Sequence, residues 1–553
     1  MKKKKITILV VILVLFSLTL QGCGASGGSN PTSSPTNEPA VTNNTSGETV
    51  ATDNSNTVSE ESAAVSSEPW DTTKKDTITL SVMNNYYTAG WKLVAQNYMD
   101  LHPETTVVVD VVADNDAYFT KCATWKAATD LSNASDIIHI NFYGATDAEY
   151  TGGRVYDFND MLSELNPYNG NQTVSACLDP QALSTMATGT YLGALPFDWC
   201  GIAIFYNKDL LDKYGLEAPK TFEEFQSECA TLRQNGMQYP ISSDTTATWY
   251  LNGISDAALR GQESQILVQP GDYNWDPSIM AVNENFAFNE NDWSCDRFTV
   301  VSQERRCMYL KQTQFADPIT AESWNQFAKI GQYFQQGFME ASGDTVLTSF
   351  EQQNAAFLIS GSWNVGVINA DMKQLGNSGF QWATMQFPPF ANPPAGFQSG
   401  IRTLFTLGNV MGILITHGTG DHLERVKDFY KYCYCPSGAQ TMYQATLDAG
   451  NYVQGPPAIT GVTLPADLTA MLDGFVTTGT VKTDFGVMVG QDYTLGSDRG
   501  NYIDNINKLM DSKQTAAEFC ANMQPYWMAK LDQDISDNGF DLNPANTPTP
   551  PQQ

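Results

Sequence analysis

Aromatic rings beside side-chain amides and charges recur at a few points of this 553-residue chain, and their types suit binding chemistry. Asn84 and Asn85 precede Tyr86, Asn141 lies two before Tyr143, Asp198 adjoins Trp199, and Trp249 adjoins Tyr250; Trp363 and Arg402 stand further on. An aromatic face packs on C–H-rich surface, while an amide, carboxylate or guanidinium exchanges hydrogen bonds with a polar rim. Such a set suits a polar ligand with apolar faces. Catalysis has less to stand on. His102, His139, His417 and His422 lie in no metal or nucleophile motif. A glycoside-cleaving carboxylate pair needs a separation of about 5 to 10 Å, and among sixty acidic residues nothing marks one. Asp534, Ser536, Asn538 and Gly539 resemble the start of a calcium loop. The twelfth position from Asp534, where a bidentate Glu belongs, is Ala545, so the stretch reads as a solvated helix end. No catalytic residue, cofactor or metal is expected.

The flanks of the chain are as informative as its middle. Lys2 to Lys5 precede an apolar run from Ile6 to Leu20, then Gln21, Gly22 and Cys23. A run of roughly 15 residues is too short to span a bilayer stably and reads as a signal peptide. From Gly24 to about Pro69 the chain is mostly Ser, Thr, Asn, Gly, Pro, Glu and Ala. Such a segment cannot offset its ordering entropy, and a coil of about 50 residues spans on the order of 40 Å. The tail from 541 to 553 is of the same kind. Sixty acidic against thirty basic residues give a net charge of −30. That charge repels nucleic acid and anionic membranes and accepts neutral ligands more readily than anionic ones. Nine cysteines besides Cys23 show neither metal nor redox spacing. Most read as small buried apolar residues, with one or two possible disulfides whose pairing stays open.

The central part, about 470 residues, is too long for one core and sufficient for two lobes. Ile78, Leu80 and Val82 alternate with polar residues as in a strand; Trp91, Val94, Ala95 and Tyr98 share a helical face ended by His102-Pro103. Val107 to Val112 reads as strand, Asp114 to Asp130 as helix, and Ile137 to Ile140 as a buried strand. This β-α-β-α-β order predicts a parallel sheet, with ligands beyond the carboxyl ends of its strands. Asn84, Asn85, Tyr86, Asn141 and Tyr143 fall there.

A second informative stretch runs Leu195-Pro196, then a β-rich run to Tyr206-Asn207-Lys208-Asp209-Leu210, then Pro219-Lys220-Thr221-Phe222 with Glu224. Asn207 and Thr221 suit helix N-caps. This succession resembles the carbohydrate-binding solute receptors of ABC importers, the family that includes the maltose-binding protein. Ala355 to Ser362 followed by Trp363 is similar to that family's strand ending in Gly-x-Trp, and Ser437 with Gln440 to its Ser-x-x-Gln turn. Leu20 to Cys23 resembles the lipobox of bacterial lipoproteins, which implies cleavage before Cys23 and lipidation of its thiol.

The resemblance implies an α/β fold of two lobes, each a mainly parallel sheet flanked by helices, joined by crossing strands near Leu195 to Ile204 and Gly400 to Gly412. The expected organisation is signal peptide 1–22, lipidated Cys23 and tether 23–75, lobe one 76–195 and 345–402, and lobe two 196–344 and 403–540. The implied function is that of a monomeric, lipid-anchored receptor on the extracellular face of a Gram-positive membrane. It would close on a sugar or oligosaccharide and deliver it to permease subunits. Trp199, Trp249 and Trp363 would stack on sugar rings, with Tyr250 beside Trp249, and Asp198 and Arg402 would bond their hydroxyl rims. The stretch 262–317 is longer than that family requires. An anchored glycosidase, or a two-lobed receptor for another solute or for a sensor kinase, are the alternatives.

Overall fold

β1 (Asp76–Met83) and β2 (Thr105–Val112) run parallel in register through all eight pairs, from Asp76 opposite Thr105 to Met83 opposite Val112. The alternation read in β1 is real: Ile78, Leu80 and Val82 are all buried. β3 (Ile137–His139) pairs parallel with β1 on its other side. Helix Thr88–Leu101 connects β1 to β2 and buries Trp91, Val94, Ala95 and Tyr98, the predicted face. Helix Asn115–Ala127 connects β2 to β3, capped by Asp114, whose carboxylate accepts from the Ala117 N–H at 2.8 Å. The structure, a computed structural model, describes residues 69–543 except 85, 187–190, 288, 290–298, 404, 476–482 and 492–498. The expected signal peptide, Cys23, Asn85 and nearly all of the tether and tail lie outside the described residues.

After the small β4–β5 pair (Leu165–Asn166, Gln172–Thr173) comes β6 (Trp199–Asn207), the longest strand. Asn207 caps the following helix by accepting from Leu210 N–H at 2.9 Å, and Thr221 caps helix Phe222–Gln234 through Glu224 N–H at 3.1 Å. The second sheet also holds β7 (Ile241–Ser242), β8 (Phe357–Gly361), β9 (Trp382–Met385) and β10 (Phe405–Leu407). β6 is antiparallel to β8, β9 and β10, and β7 is parallel to β8. This sheet is therefore mixed where a mainly parallel one was expected.

Two hydrophobic cores result, one around β1–β3 and one around helices Phe222–Gln234, Thr248–Leu259, Pro318–Gly331, Arg499–Met510 and Ala516–Asn538. β6 and β8 serve both because successive side chains point to opposite faces. Ile202, Ile204, Phe357 and Ile359 belong to the second core, whereas Ala203, Phe205 and Leu358 belong to the first.

Sheet membership differs from the expected lobe boundaries. β8 and β9, within 345–402, pair with β6 of the second sheet, while β11 (Met411–Ile413), within 403–540, pairs antiparallel with β3 of the first. Helix Asp421–Cys433 likewise packs in the first core. An all-apolar strand carries no sequence mark of which sheet will receive it. The helix holding Cys433 ends there, and Cys435 caps the next helix, Pro436–Asp448. The eight described cysteines are all buried free thiols.

Candidate functional site

The chain passes between its two cores along β6 and again along β10, and these two passages are hydrogen-bonded to each other. Gly201, Cys200 and Trp199 face Phe405, Thr406 and Leu407 in an antiparallel ladder. Asp198 sits at the start of this double crossing, fully buried. Its Oδ2 accepts from the Tyr87 hydroxyl at 2.6 Å and its Oδ1 from the Asn409 N–H at 2.6 Å. Burial pushes its carboxyl up to about 7, against the pull of these donors. Trp199 is also buried and donates from Nε1 to Asp179 at 3.0 Å. Both side chains are committed to the protein.

The segments that follow β1 and β8 both reach this crossing, Tyr87 by its bond to Asp198 and Ser362 by its bond to Gly201. Past β1, Asn84 is exposed and Tyr86 half-buried; Tyr87, at φ 53°, turns its ring inward between Phe197 and Tyr443. Past β3, Asn141 is exposed, while Tyr143 is buried and donates its hydroxyl to Glu149 at 2.7 Å. Phe119, one turn into the helix after β2, is 40% exposed and lies edge-on against Phe142, with ring centroids 4.5 Å apart. Asn84, Tyr86 and Asn141 thus follow the carboxyl ends of β1 and β3, and Phe119 lies on the helix after β2.

On the second lobe, Ser362 follows β8 and joins the crossing: its N–H donates to Gly201 O at 2.9 Å and its hydroxyl to Gln454 O. Trp363, half-buried, lies so close over Gly361 that a Cβ there would overlap its ring. Trp249 is half-buried on helix Thr248–Leu259. Tyr250 is fully buried against Phe222 and Phe387. Arg402 is buried in a bidentate pair with Asp256, at 2.9 and 2.7 Å. Of the residues expected from sequence, the structure leaves Asn84, Tyr86, Asn141, Trp249 and Trp363 partly open and encloses Tyr143, Asp198, Trp199, Tyr250 and Arg402.

Two contributors had no sequence signal beyond their type. Tyr452 joins two segments far apart in the chain: it bridges to Tyr86, with rings 6.1 Å apart, and a Cβ on Gly366 would lie 3.0 Å from its ring. Phe119 lies within the helix that follows β2. Near Tyr452, burial and the adjacent Asp371 push Glu351 up to about 7. The described residues contain no cluster of three metal-ligating side chains, and none of their helices is long and apolar enough to cross a membrane.

Residues 84–292 match the family described as bacterial extracellular solute-binding protein, a family of binding proteins rather than enzymes. No curated protein sequence matches the chain. Among solved structures, the raffinose complex of the solute-binding protein RafE is similar at 17% identity and a TM-score of 0.52, covering 83% of this chain and all of that one. A family 1 extracellular solute-binding protein from Bifidobacterium longum subsp. infantis is similar at 16% identity and a TM-score of 0.51, covering 82% and 100%. UgpB from Mycobacterium tuberculosis, in complex with glycerophosphocholine, is similar at 14% identity and a TM-score of 0.52, covering 83% and 100%. In sequence over 84–292 and in its two-lobed α/β architecture, the chain is similar to the bacterial extracellular solute-binding proteins.

Proposed function

We propose that this protein is a receptor that binds a sugar or oligosaccharide between its lobes and hands it to an ABC permease. What supports this reading is the set of side chains left partly open beside each core. Exposed amides and a half-exposed phenylalanine follow the strands of the first sheet, while Trp363 and Trp249 pack against the second core. Sugar rings need aromatic plates for their C–H faces and planar polar groups for their hydroxyls. Asn84 and Asn141 supply donors and acceptors, while Phe119, Tyr86 and Trp363 supply faces. Rotation about two adjacent, hydrogen-bonded strands brings the two sets together, the hinge closure common to two-lobed binders.

Asp198 and Arg402 act behind the surface in this reading. Asp198 joins Tyr87 to the return strand, and Arg402 neutralises Asp256 in the second lobe. That arrangement favours a neutral ligand over a phosphodiester of the kind named for UgpB, because the cation expected at the site is already paired. Lipidation at Cys23 followed by a flexible tether would keep such a receptor near its permease. The resemblance at Leu20 to Cys23 supports this anchoring.

A thermal-shift and calorimetric screen of mono- and oligosaccharides tests the proposal. At least one saccharide should raise the melting temperature and give a saturable heat. If every saccharide were silent while a peptide or polyamine stabilised the protein, the sugar assignment would be wrong. Turnover of an oligosaccharide by the purified protein would point instead to the glycosidase alternative.

A further inference from the structure

A groove of about 560 Å³ opens on the second lobe, remote from the crossing. It lies at the amino edge of the second sheet, where Tyr239 leads into β7 and Ile241 N–H donates to Tyr333 O at 3.2 Å; the crossing is at the opposite, carboxyl end. Its size is that of a ligand site, roughly 300 to 1,000 Å³. Arg233 is its fixed point. The guanidinium stacks 4.4 Å from the Tyr333 ring centroid, donates from Nε to Gln238 O at 3.2 Å, and donates from Nη2 to Gln332 O. Arg260, Arg305, Arg306 and Arg402 of the same lobe each pair with a carboxylate. Arg233 has no such partner among the described residues, and the groove's acid, Asp511, is paired with Lys513 at 2.7 Å. A guanidinium has five N–H donors, and the two carbonyls leave several of them for an incoming oxygen. Gln336 and Asn507 line the same groove with their amides unengaged among the described residues. Tyr239 adds a half-buried ring whose hydroxyl is held by Gln238 Nε2 at 3.0 Å.

We propose that this groove is a second saccharide site, taking one or two neutral sugar units through Arg233, Gln336 and Asn507, with Tyr239 as the plate. Two side-chain amides, spare guanidinium donors and an aromatic face suit an oxygen-rich ligand, and the chain's net charge of −30 disfavours an anion. The choice of ligand class rests on the sugar-receptor reading above; the groove itself does not. Its effect would be to hold a longer glycan on the receptor and raise the local concentration of its free end near the cleft.

Hydrogen exchange followed by mass spectrometry on the full chain in detergent, with raffinose and a chitin oligosaccharide at millimolar concentration, separates the two sites. Exchange should slow in 331–338 and 507–512 and also in 84–87 and 361–366. Gln336→Ala with Asn507→Ala should reduce the groove response at least fivefold and leave the cleft response intact, and Trp363→Ala should do the reverse. Arg233 is spared because it ties three segments together. Unchanged exchange in 331–338 and 507–512 with both saccharides overturns the groove proposal, as does a groove response that disappears with Trp363→Ala. A groove response without any cleft response would keep this site and remove the cleft reading.

Discussion

Replacing Asp198 with Asn should change how stability depends on pH more than it changes the fold. Asp198 is fully buried among Tyr87, Tyr443, Cys200 and the 408–409 backbone, with no cation against it among the described residues, and its carboxyl is held near 7 instead of 3.8. A folded-state value raised above the unfolded one means that the folded protein holds a proton the unfolded chain releases. The stability tied to that proton is complete below the unfolded value and is lost as pH rises through the folded one. Taking 3.8 and about 7, the loss is about 1.6 kcal/mol at pH 5 and about 4 kcal/mol at pH 8, so about 2.5 kcal/mol disappears between them. The substituted amide would be neutral at both. Urea unfolding of wild type and Asp198→Asn at the two pH values gives the double difference. Any pH-independent cost of the substitution cancels there, as do Glu228 and Glu351, which also sit near 7 in both proteins. The variant should gain about 2 to 3 kcal/mol on wild type from pH 5 to 8. Curves that stay parallel within about 0.5 kcal/mol would refute the claim that Asp198 is protonated when buried.

Trp363→Ala should weaken saccharide binding by at least about 1 kcal/mol if its ring stacks on the ligand; unchanged calorimetric affinity in a folded variant removes it from the site. Phe119→Ala tests the first lobe's set, with a similar loss expected and little change in melting temperature, because the ring is partly exposed. Arg402→Met should cost about 1.5 to 3 kcal/mol of stability by removing the bidentate donor to buried Asp256, which keeps Arg260 at 3.3 Å; a loss under about 0.5 kcal/mol in denaturation against wild type would show that the pair contributes little. Cys23→Ala should release the expressed protein from the membrane fraction; retention there would exclude lipidation at this residue as the anchor.

Local chemistry was legible in the sequence wherever a short-range rule governed it. Asn207 and Thr221 cap helices because their side chains reach N–H groups three residues on. Ile78, Leu80 and Val82 declare one buried face by alternation, and Trp91, on the helical face read from sequence, is buried. The β-α-β-α-β order fixed the first sheet and put Asn84, Tyr86 and Asn141 at its open end. Less legible was everything set by partners far along the chain. Arg402 and Asp256 are 146 positions apart, and Tyr87 and Asp198 are 111 apart; neither pairing has a spacing that sequence could reveal.

The sequence alone thus determined which residue types were available, where helices begin, and that two lobes would be needed. Tertiary structure decided which polar side chains face solvent and which were consumed inside. Asp198, beside Trp199, and Arg402, inside the return segment, are expected from sequence to bond a sugar's hydroxyl rim, yet each is enclosed by groups folding brings from elsewhere. The same holds for sheet membership: β8 and β11 are both apolar runs, and only the ladders to β6 and β3 assign them. Burial and pairing are properties of the surroundings, and for these residues the surroundings are supplied by chain more than a hundred residues away.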